Sequence, residues 1–227
     1  MEASQLAANL QRVRQELAEA SGGRYPIPKL IAVTKTHAME AILPLKALGV
    51  TDVGENRVQE IREKMPTLGE NFRVHLIGRL QSNKVKYIME TVCMIQSLDR
   101  MELAEEIRRQ AERHGRVMPV LVQVSPAGEE QKGGIAAGDL RAFLHKLSAM
   151  DGLHVRGLMA VLPNLGPCQE LEDLFCDMRT LFDHLREEAI PGVDMEELSM
   201  GMSGDYLYAA RYGATMVRVG SAIFGPR

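Results

Sequence analysis

Short apolar runs alternate along this chain with longer stretches in which apolar residues recur three and four positions apart. The first pattern belongs to strands covered on both faces, the second to helices with one buried side. Strands are predicted over 30–34, 51–55, 73–77, 94–98, 117–124, 155–161, 197–200 and 216–219. Helices are predicted over 39–48, 57–65, 83–90, 100–114, 139–150, 168–188 and 205–212. The helix over 168–188 is the clearest, with Leu171, Leu174, Phe175, Met178, Leu181 and Phe182 at helical spacing. A further amphipathic helix over 1–20 carries Leu6, Leu10, Val13 and Leu17 on one face. Gly22, Gly23, Pro26 and Pro28 separate it from the first strand.

Eight strands with helices between them in 227 residues fit an α/β (β/α)8 TIM barrel better than a doubly wound open sheet. No shift of composition marks a boundary, so one domain is expected over 1–227, with the N-terminal helix covering the barrel bottom. Charge changes this picture little: 30 acidic against 27 basic residues leave a net charge of −3. No basic face of the kind nucleic acid requires stands out. No apolar run reaches the roughly 18 residues of a membrane span, and the first residues contain no apolar signal core. Cys93, Cys168 and Cys176 form no CxxC pair and read as buried thiols. The expectation is a cytoplasmic monomer with neither nucleic acid nor membrane as partner.

In a TIM barrel, chemistry gathers at the C-terminal ends of the strands. The first predicted strand ends abruptly in Thr34-Lys35-Thr36, the second in Gly54-Glu55-Asn56, and the third carries His75 and ends at Gly78. The glycine-rich stretch 125–139 follows the fifth strand and belongs to the same rim. The seventh leads into SMGMSGD, residues 199–205, and the eighth into Arg218, Gly220 and Ser221. Loops after the last two strands of such barrels often hold phosphate, and glycine with free backbone N–H groups suits that task. Ser203 and Asp205 equally suit helix caps. Closure of the barrel sets Lys35 beside these loops. A lysine there serves either as a point charge on phosphate or as an amine that condenses with a carbonyl. Pyridoxal 5'-phosphate satisfies both halves of such a site. Arg218, if it faces the pyridine nitrogen, disfavours protonation there and weakens the ring as an electron sink.

Six motifs carry a resemblance: AVTKT (32–36), GENRVQE (54–60), HLIGRLQSNK (75–84), RGLMAV (156–161), LSMGMSGD (198–205) and TMVRVGSAIFG (215–225). In them the sequence resembles the pyridoxal-phosphate homeostasis protein family, single-domain relatives of the alanine racemase N-terminal barrel. The resemblance implies pyridoxal 5'-phosphate as cofactor, held by Lys35 as an internal aldimine. It implies that Ser199, Gly220 and Ser221 help hold the phosphate, that Arg218 faces the pyridine nitrogen, and that Asn56 lies near the cofactor. Ser203 and His75 follow from the same comparison. Val74, Leu76 and Thr34 stand where the family commonly has Trp, Phe, and Ser or Ala, which bears on the shape of the pocket and leaves the anchoring motifs intact.

Two functions of different kinds follow. One is a carrier in vitamin B6 homeostasis that binds pyridoxal phosphate, limits free aldehyde and hands the cofactor to apo-enzymes. The other is a pyridoxal-phosphate-dependent amino-acid racemase. Racemising relatives add a C-terminal β-domain whose tyrosine supplies a second base; the sequence ends at FGPR, and Tyr206 and Tyr208 fall on a predicted helix. The expectation is therefore a carrier without turnover and without catalytic residues. A cofactor-free, aldolase-like Schiff-base enzyme fits the lysine and the phosphate loops but not the resemblance.

Overall fold

The computed structural model describes residues 3–126 and 133–225. Among them, nine strands form one parallel sheet: β1 (Lys29–Val33), β2 (Asp52–Glu55), β3 (Arg73–Leu76), β4 (Met94–Leu98), β5 (Met118–Ser125), β6 (Ile135–Ala136), β7 (Leu153–Ala160), β8 (Val193–Ser199) and β9 (Met216–Val219). Their order is β4-β3-β2-β1-β9-β8-β7-β5-β6, and an additional β4–β5 pairing closes eight of them into a barrel. That closure removes the open-sheet alternative. The short β6 pairs with β5 outside the ring, at Val124–Ile135 and Ser125–Ala136. It lies within the glycine-rich stretch 125–139, whose residues 127–132 fall outside the described residues.

The outer layer comprises α1 (Ala3–Ser21), α2 (Met39–Ile42), α3 (Pro44–Ala47), α4 (Val58–Lys64), α5 (Thr67–Asn71), a 3-10 turn (Ser82–Tyr87), α6 (Met101–Arg113), α7 (Ala137–Ser148), α8 (Gln169–Glu188), α9 (Tyr206–Arg211) and α10 (Ser221–Phe224). The helix expected over 39–48 divides at Leu43–Pro44, because proline brings no N–H to a continuing helix. Helix α5 was not apparent from the sequence pattern.

Helix α1 does not cover the barrel bottom. Arg14 donates to the carbonyls of Leu48 and Gly49, just before β2, at 2.8 and 2.9 Å. Asn9 donates to the Ile223 carbonyl at 2.9 Å, and the Tyr206 hydroxyl donates to Glu16. These contacts set α1 between the α2–α3 segment and α9, outside the β9–β1 seam. After β9 the described chain supplies only the four residues of α10, so α1 occupies the eighth helical position. Its buried stripe of Leu6, Leu10, Val13 and Leu17 covers apolar surface there that would otherwise meet water.

Two cores result. A large one lies between strands and helices, and includes Val74 and Leu76, which consequently turn away from the barrel interior. A small one of Ile31, Met94, Leu121, Met159 and Met216 fills the inside of the barrel. Where β7 meets β8 the backbones nearly touch: a Cβ on Gly157, at φ 139°, would fall 1.9 Å from the Glu197 carbonyl oxygen. Only glycine fits this irregular seam. No helix among the described residues is long and apolar enough to cross a membrane. The cysteines depart from expectation: Cys168 and Cys176 are exposed and Cys93 is half-buried, all as free thiols.

Candidate functional site

At the C-terminal mouth of the barrel lies a cavity of about 700 Å³. Lys35, Asn56, Ser203, Arg218, Gly220 and Ser221, residues far apart in sequence, all line it. A wider groove of about 1180 Å³ adjoins it and shares Asn56 and Arg79. The smaller cavity is the candidate site, because the amine, the buried cation and the glycine loop converge there.

Strand β1 delivers Lys35 and a fixed frame holds its neighbours. The Thr34 hydroxyl donates to Glu55 Oε1 at 2.7 Å, and Lys64 donates to the Thr34 carbonyl at 2.8 Å. The Thr36 N–H donates to Glu60 Oε2 at 2.6 Å, with Thr36 in the left-handed region at φ 65°. Lys64 Nζ closes the frame, 2.6 Å from Glu55 and 3.3 Å from Glu60. A β-branched residue disfavours that conformation, so the surrounding bonds must enforce it. Burial raises the Glu55 carboxyl above its ordinary range, although Lys64 and Thr34 oppose it. In Glu60, burial acts upward, but bonds from Thr36 and Lys64 prevail and lower it.

Arg218 lies on β9, next to β1, and reaches towards β8 and β7. It is 3% exposed, and donates from Nη1 to Ser199 Oγ and from Nη2 to the Ala160 carbonyl, both at 2.7 Å. Burial brings its pKa down to about 10, with the Asp205 carboxylate acting against the fall. The guanidinium therefore remains charged at neutral pH.

The loops after β8 and β9 meet through Ser203. Its hydroxyl accepts from the backbone N–H groups of Gly220 at 3.0 Å and Ala222 at 3.3 Å. These converging donors suit an oxyanion. Gly220 lets this loop pack closely on β1, since a Cβ there would sit 3.3 Å from Val33 Cβ. Asp205 lies at the edge of the loop and accepts from the Met202 N–H.

Not every expected residue reaches the cavity. Ser199 is fully buried behind Arg218, with its hydroxyl donated to Gln96 Oε1 at 2.7 Å. Its position suits holding Arg218 better than touching a phosphate. His75 is likewise buried below the mouth, its Nε2 2.8 Å from Asp52 Oδ1. Burial acts most strongly and lowers the His75 pKa, but Asp52 and Cys93 together outweigh it and raise the value. The sequence reading missed Gln96, Glu60 and Lys64. A polar residue inside the buried run MIQSL was the available signal for Gln96; the partners of Glu60 and Lys64 appear only once the chain is folded.

An amine, a buried cation and clustered N–H donors fit a small anion bearing a carbonyl. The alanine racemase N-terminal domain family matches residues 2–227. A pyridoxal phosphate homeostasis protein from Aquifex aeolicus is 39% identical over 98% of this chain and 96% of its own length. The chain belongs to the pyridoxal phosphate homeostasis protein family. A family member from Schizosaccharomyces pombe is 33% identical over 96% of this chain and 91% of its own. The structure of PipY from Synechococcus elongatus with pyridoxal phosphate bound superposes with TM-score 0.84 at 37% identity, over 97% of this chain and 100% of that one. An alanine racemase from Clostridium difficile superposes with TM-score 0.74 at 15% identity, over 99% of this chain and 56% of that one, and shares the barrel fold.

Proposed function

We propose that this protein binds pyridoxal 5'-phosphate in the mouth cavity and serves intracellular pyridoxal-phosphate homeostasis as a carrier. The single observation that carries the proposal is the convergence of Lys35, buried Arg218 and the Ser203–Gly220–Ser221 loop on one cavity in a member of this family. The cofactor brings an aldehyde that condenses with a primary amine, losing water. Lys35 supplies the amine. The Ser203–Gly220–Ser221 loop receives the phosphate, with the Gly220 and Ala222 N–H groups turning to it from the Ser203 hydroxyl. Arg218 keeps positive charge at the ring nitrogen and withholds a proton from it. Ser199 holds Arg218, and Asn56 borders the ring. The carrier works as a monomer in the cytoplasm and yields its cofactor to apo-enzymes.

The tyrosines weigh against the racemase reading. Racemisation needs an acid and a base on opposite faces of one carbon. The Tyr206 hydroxyl is engaged by Glu16, and burial together with that carboxylate pushes its pKa up to about 12. Tyr208 stacks with Phe175, ring centroids 6.2 Å apart. Among the described residues, neither tyrosine lines the cavity. The test combines an amino-acid panel, followed by α-proton exchange, with reactivation of an apo-enzyme by the loaded protein. The carrier reading expects reactivation without exchange. Rapid exchange on any amino acid, lost in Lys35→Ala, would replace it with the enzyme.

A further inference from the structure

Five polar side chains form one hydrogen-bonded file through the barrel interior, and the file ends on Arg218. Asp52, His75, Gln96, Ser199 and Arg218 come from five different strands, and each is at most 3% exposed. His75 Nε2 lies 2.8 Å from Asp52 Oδ1, and Gln96 Nε2 lies 3.1 Å from His75 Nδ1. Ser199 Oγ donates to Gln96 Oε1 at 2.7 Å and accepts from Arg218 Nη1 at 2.7 Å.

Donor and acceptor roles run in one direction along this file. An ionised Asp52 only accepts, so His75 presents Nε2–H to it. With the proton of the ring on Nε2, Nδ1 accepts from the Gln96 amide nitrogen. This turns the Gln96 carbonyl towards Ser199, which spends its proton there and leaves its lone pairs for Arg218. Gln96 is the link where the file turns from imidazole to hydroxyl; its nitrogen also approaches Met216 Sδ at 3.6 Å. Asp52 and Cys93 flank His75, and Arg73 reaches Asp52 from the N-terminal end of β3 at 3.7 Å.

A wholly apolar interior would avoid desolvating these groups, and a half-satisfied file would be worse than none. We propose that Gln96 is a positioning residue: by orienting the Ser199 hydroxyl it fixes the Arg218 guanidinium in the pose that meets the cofactor. This rests on the assignment of Arg218 to the cofactor site.

Two variants separate positioning from packing. Gln96→Met keeps the bulk and removes both polar ends. Gln96→Glu keeps an acceptor for Ser199 and offers the other oxygen to a protonated Nδ1 of His75. The first readout needs no cofactor: the Arg218 side-chain Nε–H resonance in the apo-protein. It is expected sharp in wild type and Gln96→Glu, and broadened or shifted in Gln96→Met. The second readout is titration with pyridoxal phosphate. Gln96→Met is expected to bind about tenfold more weakly, with a displaced absorbance maximum, as befits loss of the acceptor that orients Ser199 beneath Arg218. Gln96→Glu is expected near wild type, with the His75 nitrogen shifts moved to those of a doubly protonated ring.

Wild-type behaviour of Gln96→Met in both readouts would overturn the proposal, as would a Gln96→Glu as impaired as Gln96→Met. If Gln96→Met fails to fold, Ser199→Ala reads the same link to Arg218, and an unmoved Arg218 resonance there refutes it. Failure of the wild type to bind pyridoxal phosphate would sink the carrier assignment instead, while the Arg218 resonance still decides the positioning.

Discussion

Replacing Lys64 with Met should loosen the frame around Lys35 and destabilise the whole fold. The Glu55 side chain is completely buried, and Lys64 Nζ is the cation 2.6 Å from it. Glu55 Oε2 is already buried without a hydrogen-bond partner. Removing the ammonium leaves a buried carboxylate without its cation, a change that typically costs about 3–5 kcal/mol. A second route gives an upper bound, since burial already raises Glu55 in the wild type. The carboxyl escapes by taking a proton, and holding it neutral at about pH 7.5, against an ordinary value of 4.5, costs about 4 kcal/mol at roughly 1.4 kcal/mol per pH unit. In a chain of this size that lowers Tm by roughly 6–20 °C. The sign with pH follows from a folded-state value raised by burial. Stability from a raised carboxyl is fully present below its unfolded value and is lost as pH rises through the folded one. Loss of Lys64 raises Glu55 further, so the deficit of Lys64→Met should shrink as pH falls towards about 5. Adding Glu55→Gln should recover most of it at neutral pH. Calorimetry of the apo-proteins at two pH values is the assay. A Tm within about 2 °C of wild type near pH 7.5, or a deficit that does not shrink on acidification, would refute the reasoning.

Gly220→Val should narrow the affinity gap between pyridoxal phosphate and pyridoxal, because added bulk beside Val33 denies the phosphate its N–H donors; competition titrations with both aldehydes measure the gap, and an unchanged ratio would remove the phosphate from this loop. Tyr206→Phe should cost about 1.5–3 kcal/mol by freeing α1 from α9. Because the Tyr206 pKa is raised from 10.0 to about 12, that advantage of wild type should be complete below pH 10 and fade as pH climbs through 12; urea unfolding across this range would expose the error if the difference stayed constant.

The barrel was legible because most strands are short and largely apolar, and the β/α alternation leaves few topologies. The place of α1 was not, since its apolar stripe reveals a buried face but not which gap it fills. Of the residues that line the cavity, Lys35, Arg218, Gly220 and Ser221 stand out where apolar strands end in polar or small residues, whereas Asn56 and Ser203 were expected there from the family resemblance. The groups that steady them were harder to see. Lys64 reaches Glu55 and the Thr34 carbonyl from α4, and Gln96 meets Ser199 across 103 positions of sequence. Such partnerships leave no local pattern, and Ser199, expected at the phosphate, is buried between Gln96 and Arg218.

The central claim is that Lys35 holds the cofactor. The direct measurement is borohydride reduction of the protein loaded with pyridoxal phosphate, followed by peptide mass mapping. The account predicts a pyridoxyl group on the peptide containing Lys35, with the visible band and the label both lost in a folded Lys35→Ala. A stoichiometric pyridoxyl group on another lysine, or a visible band retained in Lys35→Ala, would contradict it.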